Sequence, residues 1–332
     1  MFIKPWQGSL FFIHNSIYFM KCLVTGAAGF LGSNISERLI SMGAEVIGID
    51  CFIDYYPRAL KEKNLTKLWE SKQFTFIEKS LLDVNLSELL DGVDYVFHQA
   101  AQAGVRASWG KDFEIYTENN IKATQQLLDA CKEKPIKRLI YASSSSVYGD
   151  VKEFPMRETM FLQPVSPYGV SKLAAEHLCV LYWKNFKVPT ISLRYFTVYG
   201  PRQRPDMAFN KFIKAILKGD TIHIYGDGKQ TRDFTFVADA VDANISAMTN
   251  GTPGGVYNIG GGSRISVNDV LAILGKISGI EPKISYEEKQ KGDVQDTCAD
   301  TTLAKNELLY QPKVGIEEGL RQEYEWLKGL MG

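Results

Sequence analysis

The sequence is short of several things that would have directed it elsewhere. It has five cysteines, Cys22, Cys51, Cys131, Cys179 and Cys298, and no CxxC. The odd count and wide spacing argue against a disulfide framework or a zinc site and for a reducing cytoplasm. The four histidines are scattered without metal-ligand spacing, so no metal is expected. Lys+Arg and Asp+Glu balance at 38 each, which leaves no broad basic field for nucleic acid or an anionic membrane. No apolar run approaches the roughly 18 residues that a membrane span needs. Residues 1–19 come nearest, but His14, Asn15 and Ser16 interrupt Phe11, Phe12 and Ile13, and no small-residue cleavage site is evident. They read as an appended or mis-started leader, with a membrane anchor as the sharper alternative. The domain looks complete from Met20 onward.

What is present is an alternation. From Lys21 to Tyr195, short apolar runs at Cys22–Thr25, Glu45–Ile49, Phe74–Ile77, Tyr95–His98, Arg138–Ala142 and Thr190–Arg194 read as strands. Amphipathic stretches at Phe30–Met42, Asp112–Glu133 and Pro167–Phe186 read as helices. The rhythm predicts an α/β fold with a parallel sheet covered on both faces. After Tyr195, glycine and proline cluster, and helical patterns at 206–218, 236–249, 266–278 and 316–329 alternate with short strands.

The first strand runs into Gly26-Ala27-Ala28-Gly29-Phe30-Leu31-Gly32, a GxxGxxG spacing between a strand and a helix. Gly26 permits the turn, Gly29 lets backbone approach a pyrophosphate, and Gly32 lets the helix pack on the strand. The helix N-terminus then offers free N–H groups to phosphate. Asp50 closes the second strand, where a carboxylate accepts from the adenosine ribose 2′-OH and repels a 2′-phosphate. With no arginine directly after Asp50, the cofactor expected is NAD rather than NADP. Asp83, after the third strand, is an adenine partner or an ordinary loop aspartate or helix cap.

The fifth strand leads into Ser143-Ser144-Ser145-Ser146, and Ser166-Pro167-Tyr168 opens the helix that carries Lys172. Tyr168 and Lys172 are four apart and share a helical face. A free tyrosine with a pKa of about 10 is a poor base. A neighbouring ammonium is expected to lower it, so that the phenolate takes a hydroxyl proton while hydride leaves the same carbon.

Taken together, GAAGFLG, HQAAQAGVR at 98–106, SSSSVYG, SPYGVSK, RYFTVYGPRQRPDMAF at 194–209, YGDGKQTRDF at 225–234 and YNIGGG at 257–262 resemble the extended short-chain dehydrogenases that epimerise or dehydrate nucleotide sugars. The resemblance covers about residues 20–330. It implies a Rossmann-type doubly wound sheet over 20–195, with 234–257 returning to it. It also implies a smaller C-terminal α/β substrate-binding domain from 196–233 and 258–332, and a homodimer through the two long helices near 112–133 and 166–186. By position, Asp83 would meet the adenine, and Ala100, Ala101, Gln102 and Asn120 would line the cofactor. Ser144, Ser145, Ser146 and Tyr168 would face the sugar, and Lys172 would also hold the nicotinamide ribose. Arg232, helped by Gln230, would clamp the nucleotide diphosphate, and Asp293 would contact its ribose. A planar guanidinium suits phosphate oxygens, although an ion pair with Asp227 or Asp233 is the plainer reading of Arg232.

Thr197, where many UDP-hexose epimerases carry asparagine, looks like the UDP-glucuronate 4-epimerases. So do RPDMA at 204–208, QAGVR at 102–106 and the pair Ser108-Trp109. Oxidising C4 of a glucuronate puts a ketone beta to the carboxylate, an arrangement that sheds carbon dioxide. Thr197 and Arg204, with Arg106 as a weaker candidate, are nominated to hold that carboxylate; for Arg204 the plain alternative is a solvated loop charge. UDP-glucose 4-epimerisation and UDP-glucuronate decarboxylation remain rivals. A dehydratase fits less well, because Ser145-Ser146 stands where those relatives carry Asp-Glu. From another class, a non-catalytic NAD sensor would have no need of Ser144, Tyr168 and Lys172.

Overall fold

The computed structural model describes residues 20–262, 264–288 and 294–331. Seven strands form one sheet: β1 (Lys21–Thr25), β2 (Glu45–Asp50), β3 (Phe74–Glu78), β4 (Tyr95–His98), β5 (Arg138–Ser144), β6 (Thr190–Tyr195) and β7 (Gly255–Ile259). Their spatial order is β7-β6-β5-β4-β1-β2-β3, and every pairing is parallel. The strand order reverses between β1 and β4, which opens a crevice at their carboxyl ends.

Alternate residues of one strand feed different cores. Val24 and Ile140 join the cluster on one face, while Leu23 and Leu139 join the cluster on the other. All four are fully buried. A strand with helices on both sides must be apolar in both directions, which is why these runs show no polar alternation. The first cluster continues without a break into the C-terminal part, through Phe234, Leu271 and Leu320.

Helix α1 (Phe30–Ser41) and the helix Pro167–Phe186 fall where periodicity puts them. The helix Arg58–Trp69 has no apolar stripe in sequence, because its buried face is Lys61, Asn64, Leu65 and Leu68. Lys61 Nζ donates to the Ile53 carbonyl and Asn64 Nδ2 to that of Ala28. The polar half of that face therefore holds the backbone beside the phosphate loop. The stretch expected as one helix over 112–133 is helical without a gap from Phe113 to Cys131, with a π turn at Thr117–Lys122 between the α segments Phe113–Tyr116 and Ala123–Cys131. Beyond β6, three two-stranded ribbons assemble the second region. Among them, Ile222–Tyr225 pairs with Ile284–Glu287, and Thr231–Asp233 pairs with Arg264–Ser266.

Candidate active site

A cavity of about 720 Å³ opens at the carboxyl ends of the strands, between the sheet and the ribbons. Its floor is the phosphate loop. A Cβ at position 32 would lie 2.1 Å from the Gly26 carbonyl oxygen, so only glycine lets α1 sit this close to the turn. The first turn of α1 has no side-chain cap and no acidic residue. Gly26, Gly29, Phe30, Leu31 and Gly32 all border the cavity. The dipole end and free N–H groups of α1 are thus available to an anion.

Asp50 closes the same wall. Its carboxylate accepts from Ala28 N at 3.1 Å and from Phe52 N at 2.9 Å. Burial pushes its pKa up, and the two backbone N–H groups work against that. A carboxylate has about four lone-pair sites, so accepting capacity remains for a hydroxyl donor. The glycine cradle and the carboxylate together fit a dinucleotide with a free ribose diol.

Ala100, Ala101 and Gln102 border the cavity as expected from the resemblance. Asn120 does not: it is buried behind them and bonded to Gln102 and to Ser171 of the Pro167–Phe186 helix. It positions the wall rather than lining it. Asp83 is exposed at the end of a 3-10 turn, and the cavity is bordered there by Lys79, Ser80 and Leu81. Asp293 lies outside the described residues.

The residues expected to be catalytic come from β5 and from the helix Pro167–Phe186. Ser144, Ser145 and Ser146 border the cavity at the end of β5, and Ser146 N donates to Ser144 Oγ at 3.1 Å. The Pro167–Phe186 helix is capped by Ser166 Oγ, which accepts from Gly169 N at 3.1 Å, and starts on Pro167. That cap and the proline fix Tyr168 in the first turn. Lys172 is one turn on, 2% exposed, with Nζ 4.6 Å from the centre of the Tyr141 ring.

Burial raises the Tyr168 pKa, and the Ser144 hydrogen bond and the Arg204 charge pull it down without offsetting burial. Lys172 is not the counterweight, since burial pushes its own pKa down to about 7. Desolvation disfavours the charged form of Lys172, so less of it is ammonium near neutral pH than spacing alone implies.

Thr197, Arg204, Gln230, Arg232 and Arg106 all border the cavity, contributed by the β6 end, the ribbons and the loop after β4. Arg204 is 22% exposed and forks Asp206, so it is not a solvated loop charge. Arg232 donates to the carbonyls of Thr231, Val294 and Gln295, while Asp233 accepts from Gly261 N and Ala299 N. Arg106 lies over the Tyr225 ring, 4.5 Å from its centre. Gln230 Nε2 donates to the Tyr225 carbonyl at 3.0 Å.

Sequence reasoning missed Tyr55 and Asp206, which meet in the cavity wall at 3.2 Å. They are 151 positions apart, so no local pattern joins them. Among the described residues no group of His, Cys, Asp or Glu is arranged to hold a metal ion, and no helix is long and apolar enough to cross a membrane.

Comparison with known proteins agrees with this geometry. The UDP-glucose epimerase YtcB of Bacillus subtilis (strain 168), itself uncharacterized, is 46% identical over 94% of this chain and 99% of its own length. The UDP-glucuronate 4-epimerase of Thermodesulfobacterium geofontis is 38% identical over 92% and 95%. The crystal structure of UDP-glucuronic acid 4-epimerase from Bacillus cereus, in complex with UDP-glucuronic acid and NAD, superposes with a TM-score of 0.91 at 46% identity. It covers 94% of this chain and 100% of that one. The sequence model of the NAD dependent epimerase/dehydratase family matches residues 22–260, from the phosphate-loop strand through the catalytic helix to β7. With that match and the cradle that fits its cofactor, the chain belongs to the NAD-dependent epimerase/dehydratase family.

Proposed function

We propose that the protein interconverts UDP-glucuronate and UDP-galacturonate by inverting C4 of the sugar. The observation that carries this reading is a cation beside the catalytic tyrosine. Arg204 borders the same cavity as Tyr168 and Thr197, and its charge is felt at the Tyr168 phenol. A neutral hexose has no carboxylate for this half-buried guanidinium to meet. Likeness to the Bacillus cereus enzyme, whose structure holds UDP-glucuronic acid, supports the same sugar acid.

Asp50 and the α1 N-terminus would hold NAD, which supplies hydride transfer in both directions when bound. Tyr168 takes the proton of the 4-hydroxyl and later returns it to the 4-keto oxygen. Ser144 and Ser145 orient that oxygen by hydrogen bonding. Lys172 lies one turn along the same helix, where a phenolate at Tyr168 would favour its ammonium form. Thr197 and Arg204 hold the carboxylate so that the keto intermediate is not decarboxylated. Gln230 and Arg232 serve the diphosphate, and Asp293 its ribose. Residues 20–195 and 234–257 would form the NAD unit, and 196–233 with 258–332 the nucleotide-sugar unit. A homodimer is supported by exposed Ile115, Val170 and Leu181 on the two helical stretches near 112–133 and 166–186. Cytoplasmic placement is supported by five free thiols.

The rival sugar is neutral, as the YtcB name carries it. Incubation with UDP-glucuronate or UDP-glucose, without added cofactor, separates the two. UDP-galacturonate from the first supports the proposal. Turnover of UDP-glucose alone rejects it, and UDP-xylose from UDP-glucuronate replaces it with decarboxylation.

A further inference from the structure

A guanidinium has two edges at which a carboxylate can dock: the side edge, Nε with Nη2, and the end edge, Nη1 with Nη2. In Arg204 the side edge is taken. Nε donates to Asp206 Oδ1 and Nη2 to Asp206 Oδ2, each at 3.0 Å. Asp206 is itself held, because Tyr55 Oη donates to its Oδ2 at 3.2 Å. Tyr55 arrives from the segment after β2, five residues beyond Asp50. Room for its hydroxyl depends on Gly104, where φ is +105° and a Cβ would stand 2.1 Å from the Tyr55 hydroxyl oxygen. Among the described residues Nη1 makes no hydrogen bond, although Arg204 borders the cavity with Tyr168 and Thr197.

We propose that Asp206, braced by Tyr55, is a positioning residue that occupies the side edge of Arg204, so that only the end edge meets the sugar carboxylate. The inference rests on the UDP-glucuronate reading and deepens it. Burial works against charge at both groups, yet each carries the other: Asp206 keeps Arg204 protonated and Arg204 keeps Asp206 ionised. The pair is close to neutral as a unit. What Asp206 adds to the charge of Arg204 is then a fixed orientation.

Orientation matters because of the chemistry at risk. In the 4-keto sugar the C5–C6 bond can break, its electron pair passing into the C4–C5 enolate while carbon dioxide leaves and C5 later takes a proton from solvent. That cleavage needs the C5–C6 bond aligned with the ketone π system. A carboxylate gripped by one fixed edge holds its angle. A guanidinium free to offer either edge lets the group turn. Tyr55 also links this grip to the segment that follows Asp50, so the wall of the cofactor site and the carboxylate clamp share one brace.

The experiment measures carbon dioxide released from carboxyl-labelled UDP-glucuronate per UDP-galacturonate formed, in wild type, Asp206→Asn and Tyr55→Phe. At least a tenfold rise in that ratio is expected for Asp206→Asn, and a smaller rise in the same direction for Tyr55→Phe. A merely structural role would lower both products together and leave the ratio alone. Ratios within twofold of wild type in the folded variants overturn the inference. Should Asp206→Asn fail to fold, Tyr55→Phe decides it. A wild type that makes no UDP-galacturonate sinks the functional reading itself, which is a separate and visible failure.

Discussion

Asn120 grips the backbone of Gln102 from both sides. Its Oδ1 accepts the Gln102 N–H at 2.7 Å, and its Nδ2 donates to the Gln102 carbonyl at 3.0 Å. The same Nδ2 reaches Ser171 Oγ at 2.9 Å, one residue before Lys172. The cavity wall after β4 and the helix Pro167–Phe186 are therefore set against each other by one amide. The π turn around Asn120 is what departs from a regular helix here, and such turns recur at functional sites.

Asn120→Ala leaves a buried N–H and carbonyl of Gln102 unpaired. Each buried orphan costs about 1–3 kcal/mol. The expected outcome is a loss of about 2–6 kcal/mol in urea unfolding. Purified variant should also retain less NAD, measured by releasing cofactor on denaturation. Unchanged NAD content in a folded variant would show that Gln102 stays in place without the amide.

A second brace lies beneath the serines. Arg194 and Glu176 form a buried fork, Nη2 to Oε1 at 2.6 Å and Nε to Oε2 at 2.9 Å. Ser143 Oγ donates to the same carboxylate at 2.6 Å. This ties β5 and β6 to the helix Pro167–Phe186. Removing one member of such a pair strands a buried charge and costs about 3–5 kcal/mol. Glu176→Ala is expected to lose that much in chemical denaturation, whereas Glu176→Gln, which keeps two hydrogen-bonding atoms, loses less. Equal losses in the two variants would mean that packing, not charge, sets the cost.

Much of this was written in local pattern. The sheet strands announce themselves as apolar runs because both their faces are buried, and GxxGxxG shows itself because only glycine fits against the Gly26 carbonyl. Tyr168 and Lys172 are legible because four residues make one helical turn. What stayed hidden is hidden for physical reasons. The helix Arg58–Trp69 buries a lysine and an asparagine, so it leaves no apolar period. The π turn at Thr117–Lys122 has no composition of its own. Tyr55 and Asp206 meet only through the tertiary fold. The depressed Lys172 pKa depends on burial, which spacing does not report.

Asp50 offers a direct test of cofactor choice. Its negative charge disfavours a 2′-phosphate and its oxygens suit a 2′-hydroxyl. In Asp50→Ser the hydroxyl preference weakens and the repulsion disappears. NAD affinity is expected to fall about tenfold, the equivalent of one lost hydrogen bond to a charged group, while NADP affinity rises. Fluorescence titration with both cofactors reads this. Tighter binding of NADP than NAD by the wild type would remove Asp50 from its assigned role.

The buried lysine gives a pH dependence whose sign can be worked out. Lys172 has an ordinary pKa of 10.5, and burial lowers it to about 7 in the folded protein, with Glu176 and Cys179 pulling the other way. The Tyr141 ring lies 4.6 Å from its Nζ, and Tyr168 shares its helix. Between pH 7 and 10.5 the unfolded chain holds the lysine proton and the folded chain does not. Stability from this group therefore rises with pH across that window, by at most about 1.4 kcal/mol per unit. It is lost as pH falls through 7, below which both states are protonated and the contribution is flat. Other groups titrate in the same range: burial raises the thiols of Cys22 and Cys131, which makes the opposite slope above their unfolded pKa. The difference between wild type and Lys172→Met cancels those terms. Urea midpoints measured from pH 6 to 9.5 should show wild type gaining on the variant only above about pH 7. A constant difference over that range would mean that Lys172 keeps its proton in the folded protein, and that its ammonium is available to Tyr168 after all.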